Sequence, residues 1–416
     1  MTDISRETWT TGGWARPLHN GNITGPLIGA VWMVVVATGV TVIMSFATGA
    51  EYRPSLVWSL VFGAGLGALA VRVKREMLLG VAAAVLAGFA VAGIGPVLTG
   101  EVSFAGRWIA VFLAAFGSAW PLAWMVSGLP AGPATRHEFE HSVIRFLLGF
   151  GYVFFTAIVA IPFYVMVMTS LKNQQQLMQN PLDFTLDLSQ GWGLFDSYVE
   201  LMTTFSFGTY LWTSFYVSCL TVLLTLLFSI PGAYAVARLR FKGRLAFSRS
   251  ILLIYMVPMI VLALPIYIAF SMTGLRNSIF GIVLIYPVTT IPVALYMLQG
   301  YFRGLPAEVE EAGLMDGLSR LAVIWKITLP LSLPALASVS LYVFMIAWNE
   351  FLLAFMLLDD PSKFTLTRGV AMLNSSEIPR QHLMAGSVIA TVPIMALFLG
   401  LERFMTKGLT AGSVKG

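Results

Sequence analysis

Residues 305–334 read LPAEVEEAGLMDGLSRLAVIWKITLPLSLP, a charged island between long apolar segments. Pro306 suits the first position of a helix, where its missing N–H costs nothing. Glu308, Glu310 and Glu311 follow in or near the first turn, where negative charge complements the helix dipole. Val309, Ala312 and Gly313 share one face at helical spacing. Asp316-Gly317 then reads as a turn, since glycine accepts backbone angles closed to other residues. Ser319 caps a second short helix whose apolar stripe is Leu321, Ile324 and Trp325, with Arg320 and Lys326 off that stripe. Pro330 and Pro334 end it and open a new segment. The expected unit is a helix–turn–helix outside the bilayer, with an apolar face between charges.

The sequence around this island is 57% hydrophobic and 11% charged over 416 residues, too little polar surface for a soluble protein of this size. Apolar runs of about eighteen residues or more recur, each long enough to span a bilayer as a helix. They predict an all-α membrane protein of about ten spans, near residues 27–47, 55–71, 77–98, 108–125, 146–169, 210–236, 251–272, 279–301, 331–357 and 383–404. Basic residues gather in the connections after the second, fourth and sixth spans (Arg72, Lys74, Arg75; Arg136, Arg145; Arg238, Arg240, Lys242, Arg244, Arg249) and at the end of the chain. By the positive-inside rule both termini are then cytoplasmic, and the island at 305–334 lies in the cytoplasm. Asp183, Asp187, Asp196 and Glu200 fall on the other side. The first four spans carry no charge at mid-depth, which argues against an ion or substrate path through them. They are rich in small residues, and Gly63-x-x-x-Gly67 predicts close helix packing. Composition changes near 131–145, which divides the chain into an accessory membrane region (1–130), a cytoplasmic linker (131–145) and a main domain (146–416).

The spacing Glu311-Ala312-Gly313, three residues, Gly317, nine residues, Ile327, one residue, Leu329-Pro330 resembles the EAA loop of ATP-binding-cassette importer permeases. Gly313 stands where that family usually has alanine. From about residue 146 onward the chain resembles the permease subunits of carbohydrate importers of the maltose-transporter MalG type. The motifs that carry this are Thr169-Ser170-Leu171-Lys172, Ala233-Tyr234-Ala235-Val236-Ala237-Arg238-Leu239-Arg240-Phe241, and the tail Gly408-Leu409-Thr410-Ala411-Gly412-Ser413-Val414-Lys415-Gly416. The four leading spans depart from the six-helix core of that type. The resemblance implies that Glu311, Ala312, Gly313, Asp316, Gly317, Ile327, Leu329 and Pro330 dock on a cytoplasmic ATPase. It implies four kinds of neighbour: a dimer of ATPase subunits holding ATP and Mg, a second, MalF-like permease, an extracytoplasmic sugar-binding protein and membrane lipid. It also implies that Asn374, Ser375, Ser376 and Glu377, between the last two spans, belong to a loop reaching the binding protein.

Asn349 and Glu350 are the strongly polar pair inside an apolar stretch of the core, a candidate substrate-path position set against a pair that stabilises helix packing. Pro231, Pro258, Pro265, Pro287, Pro292 and Pro393 predict bent helices around a cavity. No G-x-x-x-x-G-K-[ST] phosphate loop occurs, so this chain has no nucleotide site of that kind. His137 and His141 are helix-spaced without a third metal ligand, Cys219 is the single cysteine, and no basic face suits nucleic acid. A membrane enzyme would need buried acid–base groups that the spans lack. An ion-gradient carrier would need charged sites near mid-depth, which Glu350 alone approaches. The sequence therefore predicts a transport subunit without bound cofactor or metal.

Overall fold

The computed structural model describes residues 16–180, 183–251, 253, 257–374 and 378–410. Seven of its helices are long and apolar enough to cross a membrane, or eight if one bent pair counts as a single span, and Leu56–Ala70 and Met259–Met272 are shorter apolar helices. The expected all-α membrane architecture is present. By internal packing the chain forms two compact units, Met1–Met168 with Gln175–Gln190, and Thr169–Gln174 with Gly191–Gly416.

In the first unit, α1 (Gly21–Thr48) starts where the Asn20 side chain accepts a hydrogen bond from the Asn22 N–H and stops at Gly49, whose φ of 67° is left-handed. It packs on α2 (Leu56–Ala70) through four glycines. A Cβ on Gly29 would collide with the Gly63 carbonyl, and one on Gly67 with the Gly25 carbonyl. Apolar side chains gain little by leaving lipid for one another, so close backbone approach is what holds such a pair together. The connection between α3 (Arg75–Ala92) and α4 (Phe104–Met125) carries β2 (Val97–Thr99), which pairs antiparallel with β1 (Tyr52–Pro54) from the connection between α1 and α2, Tyr52 opposite Thr99. Trp32 lies in the core of this unit and donates from its indole N–H to the Gly117 carbonyl at 3.0 Å. The α5 helix (Arg136–Ser170) begins ahead of residue 146 because Thr135 and Glu138 form a reciprocal cap. The Glu138 carboxylate accepts the Thr135 N–H at 2.7 Å, and the Thr135 hydroxyl accepts the Glu138 N–H at 3.3 Å.

The second unit holds α6 (Phe207–Arg238), α7 (Met259–Met272), α8 (Ile279–Gly304), α9 (Ala307–Met315), α10 (Leu333–Asn349) and α11 (Arg380–Thr410). Hydroxyls join its helices. Thr225 on α6 and Thr290 on α8 share a 2.6 Å hydrogen bond, and Ser214 accepts the Leu366 N–H at 2.7 Å. Pro258 marks the start of α7, and Pro287 follows a turn at Tyr286 within α8. The sharpest bend, 81°, lies between the Arg320–Leu331 and Leu333–Asn349 helices, where Pro330 and Pro334 were expected to end one segment and open the next, and not at the prolines expected to bend the spans. The span expected at 331–357 is likewise divided: α10 ends at Asn349 and a separate short helix covers Leu352–Leu357.

Gly29→Leu and Gly63→Val should each force α1 and α2 apart, whereas Gly39→Ala, with open space at its Cβ, should not. Overpacking costs about 1–3 kcal/mol, read as faster tryptic cleavage after Arg72, Lys74 and Arg75. Cleavage of the Gly63→Val chain at the wild-type rate would show that this contact does not hold the pair.

Candidate functional site

The island folds as its residues dictate. Pro306 precedes α9, with Glu308 and Glu310 in the first turn. The helix ends in a Schellman turn. Gly317 takes φ 84°, its N–H donates to the Leu314 carbonyl at 3.1 Å, and the Leu318 N–H reaches back to Gly313 at 3.1 Å. Ser319 caps the second arm, accepting the Ala322 N–H at 3.3 Å. That arm, Arg320–Leu331, contains a π turn over Ile324–Thr328 just ahead of Pro330. It meets α10 at the 81° bend.

One buried carboxylate fastens this loop to the membrane helices. Glu310 is 6% exposed. It accepts the Tyr234 hydroxyl at 3.2 Å and the Thr328 hydroxyl at 3.1 Å, and lies 3.3 Å from the Arg238 Nε. Arg238 also donates to the Leu305 carbonyl at 2.8 Å. Tyr234 and Arg238 lie one turn apart near the end of α6, so α6, α9 and the second arm converge on a single acid. A carboxylate is stable at such depth when paired and hydrogen-bonded, and here a cation and two hydroxyls surround it.

Gly313 was expected on the outward face with Val309 and Ala312. It faces inward instead: a Cβ there would collide with Ile327 and touch Val323 at 3.6 Å. The two arms of the loop therefore close on Gly313, and its small size serves that contact. Glu311, Ala312, Asp316, Gly317 and Pro330 are exposed, while Ile327 and Leu329 are half-buried. Met315, Leu321 and Trp325 are largely exposed as well, giving the loop an outer apolar surface with Val309 beside it. The sequence reading missed Glu310 and its partners, although Glu310 and Gly313 are three residues apart and so share a helix face.

Glu350 is half-buried. Its carboxylate accepts the N–H groups of Leu353 and Ala354 at 2.9 and 3.1 Å, capping the Leu352–Leu357 helix. This capping explains why the expected span is divided there. Asn349 is exposed and donates from its amide to the Met345 carbonyl at 2.8 Å. Asn374 is exposed at the end of the Leu366–Leu373 helix. Ser375, Ser376 and Glu377 lie outside the described residues, as do Ala411–Gly416 of the tail. Just beyond, His382 is buried with its Nε2 3.2 Å from Glu200. Among the described residues no group of His, Cys, Asp and Glu has metal-site geometry.

Residues 229–410 match the family model described as "Binding-protein-dependent transport system inner membrane component". The chain is 38% identical over 269 residues to the inner membrane ABC transporter permease protein YcjP of Escherichia coli, covering 64% of this chain and 95% of that one. It is 34% identical over 282 residues to the trehalose/maltose transport system permease protein MalG of Thermococcus litoralis, covering 67% and 99%. Among solved structures, a bacterial ABC transporter involved in the import of the acidic polysaccharide alginate matches 65% of this chain and 98% of its own with a TM-score of 0.54 at 23% identity, a likeness of fold.

Gly313→Val should pry the loop's arms apart and speed tryptic cleavage after Arg320 and Lys326, which are exposed but held in a folded arm, at about 1–3 kcal/mol of overpacking. Ala312→Trp, on the exposed side, should leave cleavage of the isolated chain unchanged. Equal protection of both variants would contradict the inward placement of Gly313.

Proposed function

The chain belongs to the family of binding-protein-dependent transport system inner membrane components, the permeases of ABC transporters, and from that premise we propose that it is one of two membrane-spanning subunits of an ATP-driven carbohydrate importer. Chains of this family are transport components and not enzymes, and this one is a multi-pass protein of the inner membrane. In the proposed assembly, a dimer of cytoplasmic ATPase subunits binds ATP and Mg, a second homologous permease completes the pathway, and an extracytoplasmic protein delivers the sugar. The disaccharide or oligosaccharide class, with maltose, trehalose or another α-glucoside as cargo, is supported by relatives such as the trehalose/maltose permease and the trehalose permease SugB of Mycobacterium tuberculosis. Both termini are taken as cytoplasmic, from the distribution of Arg and Lys. Residues 146–416 are assigned as the permease domain and 1–130 as an accessory region. Relatives matched over 95% and 99% of their own length cover about two thirds of this chain, which supports that division.

The observation that carries the reading is the fixed loop. Its outer surface, with Ala312, Met315, Leu321 and Trp325, is the part offered to the ATPase, and Glu311, Asp316 and Gly317 shape its rim. Its inner surface, Glu310 and Gly313, is held by α6 and by the second arm. ATP-driven closure of the ATPase dimer would push the outer surface. The Glu310 cluster would pass that displacement to α6, and the bend at Ser332 would pass it to α10. Exposed Asn349 remains the side chain proposed to face the sugar path, and Asn374–Glu377 the segment proposed to meet the binding protein.

The test is co-expression of the permease pair with the ATPase, followed by pull-down and uptake of labelled maltose and trehalose into vesicles. The wild-type chain should retain the ATPase and import sugar only with ATP. Ala312→Trp should lose both while inserting at normal levels. Uptake driven by an ion gradient with no ATPase bound would overturn the importer reading. ATP-dependent uptake of a different solute class would overturn the sugar assignment alone.

A further inference from the structure

The first unit has a groove that the transport reading leaves unused. It is a shallow, partly open groove between α3 and α4 at the end carrying β1 and β2. Leu86 and Phe89 form one wall, Ala110 and Ala114 the other, and Val97 the roof. Ala110 and Ala114 are buried and one helical turn apart. Their lack of side chain beyond Cβ makes the recess, and the surrounding apolar side chains make it a poor place for a polar solute.

Arg107 lines the same groove. It sits in the first turn of α4, about 5 Å along the axis from the helix start at 1.5 Å per residue, the depth of a lipid headgroup in a spanning helix. Its neighbours in charge are otherwise engaged: Arg53 pairs with Glu51, and Arg75, at the far end of α3, stacks on Trp120. Among the described residues the Arg107 guanidinium has no ion pair, and its Nε is enclosed without a hydrogen-bond partner. An unmatched cation at the rim of a hydrocarbon-lined recess fits an anionic amphiphile: the terminal Nη N–H donors suit a phosphate, and the recess suits the adjoining acyl chain.

We propose that the Arg107 groove of the accessory region binds one anionic phospholipid, its phosphate on the Arg107 guanidinium and part of an acyl chain between Phe89 and Ala114. The site gives these helices a ligand of their own, independent of the sugar path. Residues at the opposite, basic end, Arg72 and Lys74, are exposed and attract anionic lipid through diffuse charge. A filled groove adds geometry to that attraction.

The experiment uses the full-length chain, purified in detergent, titrated with phosphatidylglycerol or phosphatidylcholine of matched chains and read by native mass spectrometry. The wild-type chain should retain one phosphatidylglycerol with about a fivefold preference over phosphatidylcholine, the worth of one cation at a membrane surface. Arg107→Gln should lose the headgroup preference while still holding some of either lipid. Ala114→Phe, which fills the recess and leaves the charge, should lower retention of both. Arg72→Gln should change nothing in the one-lipid peak. Wild-type retention that is equal for the two lipids, or an Arg107→Gln chain with the wild-type preference, would overturn the proposal. A well-folded Ala114→Phe chain that retains lipid as before would also overturn it, because the acyl chain would then lie elsewhere.

Discussion

The interaction on which the rest depends is the burial of Glu310 among Arg238, Tyr234 and Thr328. The loop that carries it lies between α8 and α10 in the chain, with an exposed outer surface at Met315, Leu321 and Trp325. A loop tied only by its two chain ends would swing, and a push on its outer surface would dissipate in that motion. The buried acid converts it into a rigid extension of α6. Breaking such a pair from one side costs about 3–5 kcal/mol, because the remaining charge is stranded. That cost makes the attachment stiff. The same cluster reaches Thr328 in the second arm, so both arms move with the helix.

The two units solve the packing of helices in lipid by different means. Hydrocarbon tails compete with leucine and valine, so apolar contact alone holds helices weakly in a bilayer. The first unit removes side chains altogether: Gly25, Gly29, Gly63 and Gly67 let α1 and α2 touch backbone to backbone. The second keeps hydroxyls at its contacts, with the Thr225–Thr290 bond and the Ser214 acceptor inside it. Glycine contacts leave no room to slide. Hydroxyl contacts exchange partners with small displacements, which suits helices that must rearrange during transport.

Local chemistry in the loop was legible from the sequence. Pro306, Gly317 and Ser319 occupy the start, turn and cap that their residue types imply, and the glycine pattern of residues 63–67 marks a close helix contact. Features that depend on distant chain were not. Glu308, Glu310 and Glu311 look alike in sequence; which one is buried is decided by Tyr234 and Arg238, some seventy residues earlier. Gly313 read as an outward small residue because its spacing does not show that Ile327, in the other arm, folds back against it. Glu350 read as either a path-lining or a packing group, and its role as the cap of the next helix, through the N–H groups of Leu353 and Ala354, was not legible in the residue type alone. The break at Pro330 and Pro334 was legible as the end of one segment and the start of the next, while its sharpness, against the mild course of the helices at the prolines inside spans, was not.

The most direct test of the account is the number of sugars imported per ATP hydrolysed by the reconstituted complex with Glu310→Gln in this chain. Glutamine keeps the size and hydrogen-bonding capacity of the side chain and removes its charge pairing with Arg238. The account requires that the ATPase stays bound and continues to hydrolyse while sugar uptake falls, so the ratio drops severalfold. A ratio equal to that of the wild-type complex, with the ATPase still bound, would contradict the claim that this buried acid carries the motion from loop to membrane.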